Sequence, residues 1–177
     1  MVMDVSCAFL YAPIKRSVYI ELPDEDPMKK LGYKGKLDKA LYGTRDAPQA
    51  WAEELARALG ELGFECSKLQ PSIVWNKVKD LRVVVHVDDL LVEGEVHSLR
   101  WLKEKLKEKY EIKGKDLEEG DELSYLGRTI RKTPQGLEWE ADKKHVEILC
   151  REWGVTGEKS CHTPLETEIL PESPRGG

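Results

Sequence analysis

Three aspartates interrupt stretches of this chain that are otherwise built to be buried. Asp4 lies in "VMDVSCAFLY", and Asp88 and Asp89 stand side by side in "VVVHVDDLLVEG". An Asp-Asp pair on its own most often marks a tight turn, because the short side chain satisfies local amides. Here a run of three consecutive valines precedes the pair and two leucines follow it, which puts the turn at the end of buried strands. Carboxylates that close repel each other, and keeping both ionised calls for a compensating cation. Magnesium suits the task, since it takes one or two protein carboxylates and leaves its remaining positions to water and phosphate oxygens. Two such ions about 4 Å apart clamp the attacking and leaving oxygens of an in-line phosphoryl displacement. The chemistry implied is nucleotidyl transfer, on the condition that the strand holding Asp4 pairs beside the strand ending at Asp88.

Those carboxylates need a scaffold, and the flanking patterns predict one. "SVYIELP" alternates and reads as a strand stopped by Pro23, and the charged segment from Asp24 to Lys39 reads as a loop. A helix is predicted from Asp46, with its side chain as cap, Gln49 reaching back to it, and a buried stripe of Trp51, Leu55, Leu59 and Leu62 before Gly63. "SIVWNKV" and "LRVVVHV" flank Lys79-Asp80 as a hairpin whose second strand runs into Asp88, and "LLVEG" continues as a short strand. A second helix, from about Glu95 to Tyr110, puts Val96, Leu99, Leu102, Leu106 and Tyr110 on one face. Its other face carries Lys103, Lys105, Lys107 and Lys109, with Lys113 and Lys115 just beyond. Such a run is ordinarily solvated surface, and it is also where a phosphate backbone can lie. "ELSYLGRTIRKT" and "LEWEA", joined by a turn at Pro134-Gln135-Gly136, read as a further hairpin. A last helix, capped by Asp142 and ended by Gly154, is expected to bury Val146, Leu149, Cys150 and Trp153. Strands interrupted by packed helices predict an α+β fold with the helices on one face of a sheet.

Bulk properties narrow the function less than the motifs do. At 177 residues and 40% apolar, the chain can bury one core. A net charge of -5 gives no support for nucleic-acid binding through overall charge, so any such binding needs a local patch. The cysteines at 7, 66, 150 and 161 form no CxxC pair, which points to free thiols in a reducing compartment. His145, Cys150, Cys161 and His162 match none of the usual zinc ligand spacings. With no apolar run long enough to span a bilayer, a soluble chain without a membrane partner is expected.

Taken in order, "DVSCAFLYAPIKRSVYIELP", "LDKALYGTRDAPQAWAEEL", "LGFECSKLQPSIVW", "VVVHVDDLLVEG", "YLGRTI" and "HTPL" resemble the reverse transcriptase of copia-type LTR retrotransposons. The resemblance runs from residue 2 to about 165 and implies a polymerase palm-like antiparallel sheet, with a palm domain over 1–154 and an irregular tail over 155–177. It further implies an RNA-directed DNA polymerase acting on an RNA or DNA template with primer and deoxynucleoside triphosphates. Two Mg2+ ions, with Mn2+ as the alternative, would sit on Asp4, Asp88 and Asp89. Phe9 would exclude a ribose 2'-hydroxyl, Tyr42, Gly43 and Arg45 would border the nucleotide, and Leu126 and Gly127 would grip the primer. Lys113 or Lys115 is a candidate proton donor to the leaving pyrophosphate. An intracellular setting follows, in the cytoplasm, a virus-like particle or the nucleus.

Three departures from the family pattern stand out. His86 replaces the usual tyrosine or phenylalanine, Asp46 stands where glutamine is common, and the fingers region that precedes the first aspartate in the family is expected to be missing, along with other polyprotein domains. That last feature supports a second class of function, a non-catalytic remnant that binds nucleic acid or a protein. A third, a metal-dependent phosphohydrolase or nuclease, shares the two-ion logic but leaves "LYGTRDAP" and "YLGRTI" unexplained.

Overall fold

The computed structural model describes residues 1–154. Among them the elements run β1 (Val2–Val5), β2 (Tyr19–Glu21), β3 (Lys34–Lys36), α1 (Ala47–Glu61), β4 (Glu65–Cys66), β5 (Ile73–Asn76), β6 (Leu81–His86), β7 (Asp89–Glu93), α2 (Val96–Lys107), β8 (Ile112–Lys115), β9 (Glu122–Tyr125), β10 (Arg128–Thr133), β11 (Gly136–Glu140) and α3 (Lys143–Trp153). Short 3-10 turns occupy Ala8–Tyr11 and Lys29–Leu31. The chain groups into two compact units, one from Met1 to Trp139 and one beginning at Glu140. The tail expected at 155–177, with Cys161 and His162, lies outside the described residues.

Alternation of apolar residues creates the main sheet. Six strands pair in the order β4-β5-β6-β7-β1-β8, and every adjacent pair is antiparallel. Met3 and Val5, Leu81 and Val83, and Leu90 and Val92 all point to one face and are buried. Trp51, Leu55 and Leu59 of α1 and Leu102 and Leu106 of α2 belong to the same core. Leaving these side chains in water would cost about 1.5–3 kcal/mol each, so the two helices are held to one face by burial rather than by their own propensity. The expected α+β arrangement, an antiparallel sheet with helices on one face, is what the structure contains.

Several local expectations are corrected. Asp46 does not cap α1; its carboxylate pairs with Arg16, and Gln49 donates to Glu53 instead of reaching back. Asp46 is itself in a helical conformation (φ −95°, ψ −7°), and Pro48 removes one of the free amides that a cap would serve. The loop expected from Asp24 to Lys39 contains β3, whose Lys34, Gly35 and Lys36 pair with Glu21, Ile20 and Tyr19. Val96, expected on the buried face of α2, begins the helix and is exposed, whereas Ser98 is buried.

"ELSYLGRTIRKT" is not one strand but a hairpin in itself, turning at Leu126-Gly127, where both residues have positive φ (49° and 72°). This is the dihedral signature of the tightest hairpin turns. With β11 the hairpin forms a three-stranded sheet in the order β11-β10-β9.

In the second unit, α3 has the expected cap, Asp142 accepting from the Lys144 amide at 2.9 Å, and Gly154 closes it at φ 64°. Its apolar stripe is not buried: Val146, Leu149 and Trp153 are exposed, and Cys150 is half-buried. Amphipathic spacing reports the stripe correctly but not whether a surface covers it. Cys7, Cys66 and Cys150 are free thiols. No helix among the described residues is long and apolar enough to cross a membrane.

Candidate active site

The β6–β7 hairpin is closed by a two-residue turn, Val87-Asp88, with His86 and Asp89 as the last paired residues. Asp89 is opposite Asp4 in the β7–β1 pair, and Asp4 is opposite Lys113 in the β1–β8 pair. His86, Asp89, Asp4 and Lys113 therefore form one row across four strands. Directly opposed residues project to the same side of a sheet. Since Met3, Val5 and Leu90 project into the core, the row projects from the other face, where Asp4 and Asp89 are half-buried. Opposed Cα atoms in an antiparallel pair lie about 4.5–5.5 Å apart, which brings Asp4 and Asp89 together, with Asp88 adjoining on the turn. The strand beside β1 is β7, which follows the aspartate turn, and not β6, which leads into it and which the sequence pattern suggests.

The electrostatics bear the mark of crowded negative charge. Partial burial first, then the Asp88 and Asp4 carboxylates, hold the Asp89 carboxyl above its usual range, and His86 partly offsets them. Burial, followed by Asp88, Cys7 and Asp4, raises the Tyr42 phenol. Among the described residues no lysine or arginine forms an ion pair with any of the three aspartates.

The remaining predicted residues fall around this rim unevenly. Phe9 follows β1 on the Ala8–Tyr11 turn, and its ring centroid is 4.5 Å from that of Tyr42. Tyr42 is exposed, and its phenol feels both Asp88 and Asp4, so these two rings adjoin the carboxylates. Gly43 has φ 85° with open space around it, and Arg45 is exposed beside Asp46. Leu126 and Gly127 form the tip of the β9–β10 turn, and Leu126 is exposed.

Two residues acquire a place that motif spacing does not give them. Lys113 belongs in the sequence to a basic, solvated run, but β8 sets it on the carboxylate row. Tyr125, next to the singled-out Leu126, is buried, its hydroxyl has no protein partner, and burial together with Asp89 raises its phenol. A cavity of about 530 Å³ lies at the far end of β7, along Leu91 to Gly94, and Asp4, Asp88 and Asp89 do not line it.

Comparison with known proteins decides the family. The reverse transcriptase (RNA-dependent DNA polymerase) family model matches residues 1–167. The chain belongs to that family. It is 31% identical over 173 residues to the retrovirus-related Pol polyprotein from transposon RE2 of Arabidopsis thaliana, across 93% of this chain and 11% of that protein. It is 25% identical over 169 residues to the corresponding polyprotein from transposon TNT 1-94 of Nicotiana tabacum, across 92% of this chain and 12% of that one. A putative transposon Ty5-1 protein of Saccharomyces cerevisiae is 28% identical over 171 residues, 53% of its length. The copia-type resemblance carried by the motifs agrees with these relatives, of which this reverse transcriptase segment spans only a part.

Reverse transcriptases use divalent metals, and the donor set here can be tested against that requirement. Among the described residues no three His, Cys, Asp or Glu side chains are gathered closely enough to form a metal cage. Magnesium needs no such cage, because water and phosphate oxygens complete its shell. Asp4 and Asp89, opposed across β1 and β7 with Asp88 adjoining on the turn, are carboxylates, the ligand type that magnesium takes.

Proposed function

We propose that the chain is the palm portion of an RNA-directed DNA polymerase, extending a primer 3'-hydroxyl with deoxynucleoside triphosphates on an RNA or DNA template. The observation that supports this most is the pairing of Asp4 with Asp89 across β1 and β7, with Asp88 on the adjoining turn. Asp4, Asp88 and Asp89 would hold two Mg2+ ions, which when bound neutralise charge on the reacting phosphate. In the reaction the primer oxygen bonds to the α-phosphorus and gives up its proton, and the bond from that phosphorus to the bridging oxygen breaks to release pyrophosphate.

The chain's own residues orient this exchange. Phe9, backed by Tyr42, bounds the sugar and leaves no room for a 2'-hydroxyl, while Gly43 and Arg45 border the nucleotide. Lys113 shares a row with Asp4 and offers an ammonium to the departing pyrophosphate. Leu126 and Gly127, on their exposed turn, contact the primer end. The other domains of a Pol polyprotein are the partners that would complete the template cleft.

Primer extension on an RNA template tests the reading. Incorporation should vanish in Asp88→Asn and persist in Lys79→Ala, whose lysine stacks on Trp101 near the opposite end of β6. Protein that binds RNA but extends nothing would establish a non-catalytic remnant instead, and phosphate release without template would establish a hydrolase.

A further inference from the structure

The turn that carries Asp88 is conformationally expensive as built. Val87, first of its two central residues, has φ 56°. A β-branched side chain in the left-handed region is a steric outlier, and hairpins that need this geometry at that position ordinarily use glycine. Left alone, such a residue relaxes toward negative φ, and rotation of the 87–88 peptide would swing Asp88 away from Asp4. Two hydrogen bonds oppose that rotation. The Val5 amide donates to the Asp88 carbonyl at 3.0 Å, tying the turn to the strand that carries Asp4. The indole Nε1–H of Trp51 donates to the Val87 carbonyl at 2.7 Å from beneath the sheet.

The indole is itself fixed. Trp51 is 1% exposed on α1, its ring packs edge-on to Tyr110 at 5.3 Å, and Tyr110 packs edge-on to Tyr11 at 5.1 Å. Filling the core requires only the ring, which a phenylalanine also supplies. A buried N–H, by contrast, must find an acceptor, and the acceptor here is the carbonyl of the strained residue.

We infer that Trp51 is a positioning residue for nucleotidyl transfer, holding Asp88 in place by pinning Val87 in its left-handed conformation. Its catalytic consequence rests on the polymerase reading; the conformational claim does not. Loss of the donor should let Val87 relax, and glycine at 87, which adopts positive φ without penalty, should make the donor dispensable.

The test uses four proteins, the parent, Trp51→Phe, Val87→Gly and the double variant. In primer extension Trp51→Phe should lower kcat about tenfold or more with KM for the nucleotide nearly unchanged, as expected for losing one hydrogen bond that matters to geometry. The double variant should return to within about threefold of Val87→Gly, a non-additivity that a purely structural tryptophan would not produce. Equal losses in both backgrounds would overturn the inference.

A second readout needs no activity. In 13C-valine-labelled Trp51→Phe the Val87 Cα and Cβ chemical shifts should leave their left-handed values, and unchanged shifts would overturn the inference. Should phenylalanine fail to fold, 3-benzothienylalanine at 51, with the ring shape but no N–H, is expected to move the same shifts. Parent protein inert in extension would refute the polymerase reading alone, leaving the chemical shifts to decide the role of Trp51.

Discussion

Gly114→Ala separates two opposing effects of the same substitution and bears directly on the carboxylate row. Gly114 is opposite Met3 in the β1–β8 pair. A Cβ there would lie 2.8 Å from the Val2 carbonyl oxygen and 3.2 Å from the Met3 Cα, both backbone atoms, as well as 3.0 Å from the Met3 Cγ. β1 cannot yield easily, because it is paired on both sides and Met3 is wholly buried. The edge strand β8 must move instead. Overpacking of this kind costs about 1–3 kcal/mol, and the reduced freedom of the unfolded chain returns about 0.4–1 kcal/mol, for a net destabilisation of about 1–2 kcal/mol.

Gly60 supplies the control. It lies in α1, and a methyl group added to its Cα would meet nothing within 4 Å, so Gly60→Ala keeps the unfolded-state gain and adds helix propensity, stabilising by about 0.5–1 kcal/mol. Urea unfolding should move the two midpoints in opposite directions, with melting temperatures shifting about 2–4 °C per kcal/mol. Moving β8 also carries Lys113 away from Asp4, so extension by Gly114→Ala should fall at temperatures where the protein remains folded. A Gly114→Ala protein as stable as the parent would refute the close approach on which this reasoning depends.

The Glu54 carboxyl is held below its usual range, first by its bond from the Arg57 guanidinium and also by the Tyr110 hydroxyl, so this cluster adds stability above about pH 4.3 and loses it as pH falls through the depressed value. Glu54→Gln should therefore flatten the acid-side fall of the urea midpoint, and curves parallel to the parent would show that the cluster adds nothing. Phe9→Ala opens the space beside Tyr42, and ribonucleotide incorporation relative to deoxyribonucleotide should rise about tenfold or more; unchanged discrimination in paired nucleotide-competition assays would remove Phe9 from the sugar boundary.

What can be read in advance follows from where the information resides. β6 and β7 are legible because their apolar runs are their own, and the aspartates are legible because they interrupt those runs. β8, "IKGK", is not, since only Ile112 is apolar and the strand exists by pairing with β1 rather than by its own pattern. The same lack hides β3 and leaves Lys113 in a solvated run. The turn at Leu126-Gly127 is implied by the family resemblance, which sets a hairpin there, but not by the strand pattern, because leucine is a poor marker of positive φ; the bond from Trp51 to Val87 is hidden because periodicity reports which side of a helix is buried, not where an indole N–H points. His86, a departure from the resemblance, lies opposite Asp89 and partly offsets the upward shift of its carboxyl.

The carboxylate row and the core are products of a single register. Alternation along β1 buries Met3 and Val5 and sends Asp4 to the opposite face, and alternation along β7 buries Leu90 and Val92 and does the same for Asp89. Sliding β1 by one residue against its neighbours would turn Asp4 into the core and expose Met3 and Val5. The carboxylate would then lose its hydration without gaining a partner, while two apolar side chains would lose their burial. Both penalties oppose the slip, so the packing that stabilises the sheet also keeps Asp4 opposite Asp89. The Asp88 turn lacks this protection, because Val87 is exposed and burial of its side chain does not select its dihedral angles. Hydrogen bonds from Val5 and Trp51 must do there what burial does for the strands.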